Sequence, residues 1–78
     1  MEEKITQEDF AEFLYNMRRS LGLSREGFSK LSGFSPITLA SWEKQSVFPR
    51  YVDEKIEKIR EVVKAELSKR RQAAKYKR

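Results

Sequence analysis

The side chains that most often carry catalytic or metal chemistry are sparse in this sequence. Cysteine and histidine are both absent, which removes thiolate and imidazole nucleophiles, bases and metal ligands, and also disulfides. Carboxylates occur in two groups, Glu8, Asp9 and Glu12, and Asp53, Glu54 and Glu57. No nucleophile or phosphate-binding loop accompanies them, so we interpret them as solvated faces that compensate helix dipoles. We expect no enzymatic activity, no cofactor and no metal site.

A different chemistry is available in the segment 36–44. Leu39 and Trp42 are three residues apart, so on a helix they face the same way, toward a core. The remaining side chains point elsewhere and combine an apolar group, two hydroxyls and a cation. Such groups suit base edges and phosphates of nucleic acid. The predicted contact face consists of Ile37, Thr38, Ser41 and Lys44.

Two short helices are predicted around this face. Ser35 followed by Pro36 is a strong helix start, because proline at the first helical position loses no hydrogen bond. This helix is predicted over 36–44. Before it, Ser24 caps a helix predicted over 25–32, and Gly33 ends that helix.

Two longer amphipathic helices flank this pair. Residues 8–21 place Phe10, Leu14, Met17 and Leu21 on one face, and Gly22 follows. Residues 52–67 repeat apolar side chains at Val52, Ile56, Ile59 and Val63. No alternating strand pattern is present, so the fold class predicted is an all-α domain of four helices over residues 1–67, followed by an irregular basic tail over 68–78.

The aromatic residues are assigned mainly to the core. Phe10, Phe28, Phe34 and Trp42 are predicted to pack inside. For Phe48 and Tyr51, in the segment after the third helix, packing under the fourth helix is favoured over a phosphate contact from the tyrosine hydroxyl.

The net charge of +5 is unevenly distributed. Residues 1–67 are close to neutral, whereas residues 68–78 contain six basic and no acidic side chains. Tails of this kind attract polyanions, although a solvated helix end that only aids solubility is the alternative. The longest apolar runs are too short to span a membrane, and the start of the chain does not resemble a signal peptide. We therefore expect no membrane contact and a cytoplasmic, nucleoid-associated protein.

The central segment resembles a known family. Leu21-Gly22-Leu23-Ser24, Gly27-Phe28-Ser29 and Trp42-Glu43, at their spacing here, are similar to the phage-repressor (XRE-like) helix-turn-helix family over roughly residues 10–50. The resemblance implies that Ser35–Lys44 docks as a recognition helix in the major groove. It also implies that Arg18 on the first helix pairs with Glu43, which sets the angle of the recognition helix. The DNA contacts implied are Arg25, Ser35, Pro36, Ile37, Thr38, Ser41 and Lys44.

The sequence departs from the family pattern at three points. Gln45 stands where the family usually has glycine, so the end of the third helix is expected to be built differently. Gly27 replaces a glutamate or glutamine, so the second helix lacks a reciprocal capping box. The contact face has no arginine, asparagine or glutamine for bidentate base contacts, so specificity is expected to depend on apolar contacts and DNA shape.

Three functions remain open at this stage. The first is a sequence-specific DNA-binding transcription regulator, a repressor acting as a homodimer on an inverted repeat. The second is an antitoxin that binds a toxin along the fourth helix and autoregulates its operon. The third is a phage-packaging or plasmid-maintenance factor that uses the basic tail to bind nucleic acid.

Overall fold

The chain folds into four α-helices in a computed structural model that describes the backbone of residues 4–76 and the side chains of residues 4–73. The helices are α1 (Gln7–Ser20), α2 (Arg25–Ser32), α3 (Pro36–Glu43) and α4 (Val52–Tyr76). Within residues 4–76 there is no strand. The all-α fold class is confirmed, and the predicted bounds of α1, α2 and α3 agree with the structure to within one residue.

The start of α1 is one residue earlier than predicted because of a capping box that the sequence analysis missed. The hydroxyl of Thr6 accepts a hydrogen bond from the amide of Asp9 at 3.0 Å. In return, the Thr6 amide donates to the Asp9 carboxylate at 3.3 Å. The pair satisfies two amides that would otherwise lack partners at the helix start, and it gives Asp9 a structural role.

The turn between α2 and α3 is built from the predicted signals. Gly33 has a φ of 90°, in the left-handed region that favours glycine, and its amide donates to the Ser29 carbonyl at 2.8 Å. The Ser24 hydroxyl caps α2 by accepting from the Gly27 amide at 3.1 Å. No side chain at Gly27 can return the bond, so the cap is one-sided, as the sequence analysis expected.

All four helices contribute to one hydrophobic core. Both α1 and α2 pack against α3 and against α4. The Trp42 ring meets the edges of Phe10 and Phe34, with ring centres 5.5 and 5.1 Å away. The buried cluster confirms the predicted core and consists of Phe10, Leu14, Leu21, Phe28, Leu39, Trp42, Ile59 and Val63.

The predicted boundary between α4 and an irregular tail is wrong. Instead of ending near Leu67, the helix continues through the first nine residues of the predicted tail to Tyr76; Lys77 and Arg78 lie outside the described residues. The sequence contains no glycine or proline after Pro49 to stop the helix. Lysine, arginine, glutamine and alanine, which dominate this stretch, are good helix formers, and basic residues are favoured near a helix carboxyl end.

The projecting part of α4 begins where core packing ends. Val63 is the last buried residue of α4 among those whose side chains are described, Leu67 is 40% exposed, and residues 68–73 are exposed. The 25 residues of α4 span about 37 Å, so its carboxyl half extends beyond the packed body. Among the described residues, no helix is both long and apolar enough to cross a membrane.

Candidate nucleic-acid interface

The short helix α3 has one anchored face and one free face. Leu39 is fully buried and Trp42 is 6% exposed. On the opposite side Ile37 is 79% exposed and Lys44, directly after the helix, is also exposed. The structure thus brings the predicted contact face together on one side of α3, with Thr38 and Ser41 half-buried at its base.

Two hydroxyl groups at the start of α3, those of Ser35 and Thr38, are hydrogen-bonded to each other. The Ser35 hydroxyl accepts from the Thr38 amide at 3.0 Å and donates to the Thr38 hydroxyl at 2.8 Å. Ser35 therefore acts first as the helix cap. The Thr38 hydroxyl keeps its own proton available for an outside acceptor, while exposed Pro36 offers only carbon surface because it has no amide proton.

A bidentate ion pair fixes the carboxyl end of α3 against α1. Arg18 donates to both carboxylate oxygens of Glu43, each at 2.9 Å, and also to the Leu23 carbonyl at 3.0 Å. The two side chains are 11% and 5% exposed. The hydrogen bond to Glu43 raises the pKa of the Arg18 guanidinium, more than burial lowers it, so Arg18 stays charged. The predicted pairing of Arg18 with Glu43 is present in the structure.

Arg25 joins this pair, a contact that the sequence analysis missed. Its Nε donates to the Glu43 carboxylate at 3.2 Å, and its side chain is 38% exposed. Arg25 was predicted as a DNA contact at the start of α2. The structure places it on Glu43 with part of its side chain still exposed, so Glu43 holds α1, the start of α2 and the end of α3 together. No sequence pattern indicates this contact beyond the general fact that one carboxylate can accept hydrogen bonds from two guanidinium groups.

The segment after α3 turns sharply at two non-glycine residues. Gln45 has a φ of 63° and Tyr51 a φ of 54°, both in the left-handed region. Such a conformation costs an ordinary residue about 1–2 kcal/mol. The Gln7 side chain donates to the Gln45 carbonyl at 2.6 Å, and the Ser46 amide donates to the Ser41 carbonyl at 2.9 Å. The expectation that this end of α3 is built differently is wrong, because Gln45 takes the left-handed conformation that glycine would favour and these bonds hold it there.

The prediction that Phe48 and Tyr51 pack under the fourth helix is wrong for both residues. Tyr51 is 72% exposed and Phe48 is 41% exposed. Phe48 packs edge-on against Phe10 of α1, with ring centres 6.4 Å apart. Pro49 is the buried residue of this segment, so the loop is anchored there while Tyr51 points into solvent.

The acidic group on α1 lies beside Arg25. An open depression of about 360 Å³ is lined in part by Glu8, Glu12, Tyr15 and Arg25. Exposed carboxylates at this edge repel phosphate, so this depression does not suit an anionic ligand. No group of three or more acidic residues within the described part of the chain has the arrangement of a metal site.

No protein-family model matches the chain, and no similar curated protein or solved structure was found.

Proposed function

We propose that this protein is a helix-turn-helix DNA-binding protein that docks α3 in the major groove and regulates transcription, most simply as a repressor. The observation that carries the proposal is the two-faced character of α3. Leu39 and Trp42 bury one face and Glu43 ties its end to α1 and α2, whereas Ile37 is 79% exposed. An exposed isoleucine on a short helix whose other face is anchored offers apolar surface whose burial by a partner would be favourable.

The chemistry of the exposed face fits a base-pair edge. The major groove is about 12 Å wide and admits one α-helix. In this docking mode the Ile37 side chain contacts a thymine methyl group, and the hydroxyls of Thr38 and Ser41 donate to base or phosphate acceptors. Lys44, exposed directly after the helix, contacts a phosphate. Arg25, whose side chain is 38% exposed beside Glu43, contacts the DNA backbone in this docking mode.

A homodimer on an inverted repeat is part of the same proposal. Two copies would place their α3 helices in successive major grooves, about 34–36 Å apart. A toxin bound along α4 is the second candidate, and the observation in its favour is the exposed Leu67 on the projecting part of that helix. Co-expression with the product of the neighbouring gene, followed by sizing of the complex, separates these two partners.

Selection of bound sites from random duplex DNA at near-physiological salt tests the proposal. We expect an enriched motif containing an A·T pair at the position that Ile37 contacts, and, for a dimer, two half-sites in inverted order. A pool that stays random after selection contradicts sequence-specific binding.

A further inference from the structure

The carboxyl half of α4 is a charged surface that is not part of the proposed contact face on α3. Residues 64–73 contain four basic side chains and one acidic side chain, and none of them belongs to the core. We define residues 64–73 as the basic arm. Because residues 1–63 contain ten basic and eleven acidic side chains, the arm and the residues after it carry the net positive charge of the protein.

The basic arm does not continue the apolar stripe of α4. Val52, Ile56, Ile59 and Val63 repeat at spacings of four and three, and the same spacing leads next to Glu66 and Arg70. These two side chains form an ion pair at 3.0 Å. A helix that went on to pack against an apolar partner would carry apolar residues at these positions, so the arm is built for a polar environment.

One face of the arm presents basic and hydroxyl groups together. Lys64, Ser68 and Arg71 are spaced by four and three residues, which places them on the same side of the helix. All three are exposed. Lys64 and Arg71 are about 10 Å apart along the axis of α4, and each strand of duplex DNA presents one phosphate per about 3.4 Å of the duplex axis. Both cations can therefore contact phosphates of one strand.

We propose that this face of the basic arm, defined by Lys64, Ser68 and Arg71, binds the phosphate backbone of duplex DNA independently of base sequence. The choice of DNA as the polymer rests on the proposed function. The contact adds affinity for any sequence, whereas α3 supplies the discrimination. The arm acts as a helix with a defined face rather than as an unstructured charged tail.

A matched pair of variants tests which face is used. Lys64→Gln/Arg71→Gln and Lys69→Gln/Arg70→Gln each remove two positive charges from the arm, but only the first pair lies on the proposed face. Binding to a duplex of scrambled sequence is measured by fluorescence anisotropy over a range of salt concentrations. Each phosphate contact contributes about 0.9 to the slope of log K against log salt. We expect the slope to fall by about 1.8 for the first variant and by less than half as much for the second. Equal slopes in the two variants, or no change from the unmodified protein in the first, would overturn the proposal.

Two further measurements test the helix and the partner. Ser68→Pro keeps every charge but interrupts the helix, and we expect it to weaken binding to the scrambled duplex as the first variant does. Undiminished binding would show that an unstructured tail suffices. Polyglutamate that competes with DNA as well as unlabelled duplex does, at equal charge, would assign the arm to acidic proteins instead. The outcomes are separate from those of the proposed function, because Ile37→Ala changes sequence preference and leaves the salt slope intact.

Discussion

Replacement of Glu43 by alanine should destabilise the fold more than replacement of either arginine that it binds. The Glu43 side chain is 5% exposed and accepts three hydrogen bonds, two from Arg18 and one from Arg25. Its removal leaves the nearly buried Arg18 guanidinium without a carboxylate. Breaking a buried pair in this way typically costs about 3–5 kcal/mol of unfolding free energy.

The two arginine variants should follow in a definite order. Arg18→Ala leaves Glu43 still paired with Arg25, so we expect a smaller loss of about 2–3 kcal/mol. Arg25→Ala removes a side chain that is 38% exposed, and solvent screening limits its effect to about 0.2–1 kcal/mol. The expected order of destabilisation is therefore Glu43, then Arg18, then Arg25.

The protein carries its own probe for this measurement. Trp42 is the single tryptophan and is 6% exposed in the core, so urea unfolding can be followed by its fluorescence and checked by circular dichroism. A loss of 3 kcal/mol lowers the midpoint of thermal unfolding by about 12 °C or more in a domain of this size. Glu43→Gln is the control that separates the charge of this side chain from its shape, because glutamine removes the charge and keeps the shape.

The reasoning is refuted if Glu43→Ala unfolds within about 0.5 kcal/mol of the unmodified protein, the usual range for surface positions. Loss of DNA binding together with intact stability would mean that Glu43 acts at the interface and not in the fold.

Three other predictions concern the ends of α3 and α4. Lys44→Ala should weaken binding to a selected and a scrambled site equally and lower the salt slope by about one unit, and Arg25→Ala should behave similarly; anisotropy at two salt concentrations checks both. Gln45→Gly should stabilise the fold by about 0.5–1 kcal/mol in urea unfolding, because it relieves the positive φ at the cost of some chain entropy, and Gln45→Ala should give no such gain. Deletion of residues 68–78 should leave thermal stability nearly unchanged, since the side chains of residues 68–73 are all exposed; a drop of several degrees would show that the deleted segment packs on the body.

The boundaries of the short helices were predictable because each has a local chemical cause. Ser35 and Pro36 start α3, and Gly33 ends α2, without help from distant residues. The core face of α3 followed from the spacing of Leu39 and Trp42. In these cases a short stretch of sequence contains the whole physical reason.

The features that could not be predicted arise from contacts between residues distant in the sequence, or from conformations that have no clear local signal in the sequence. The contact of Arg25 with Glu43 exists only because folding brings the start of α2 to the end of α3. Tyr51 is exposed and has a positive φ, and no glycine at that position indicates such a conformation in the sequence. The extension of α4 to Tyr76 was missed because a basic composition was interpreted as an irregular tail, although those residue types favour a helix.

The most direct test of base contacts by α3 uses the Ile37→Ala variant. Its affinity for a selected site is compared with its affinity for a scrambled site at one salt concentration. Ile37 is 79% exposed, so its truncation should leave unfolding unchanged. We predict that the variant loses about 1–3 kcal/mol of binding free energy on the selected site and almost none on the scrambled site. An unchanged ratio of the two affinities would contradict the claim that the exposed face of α3 recognises DNA sequence.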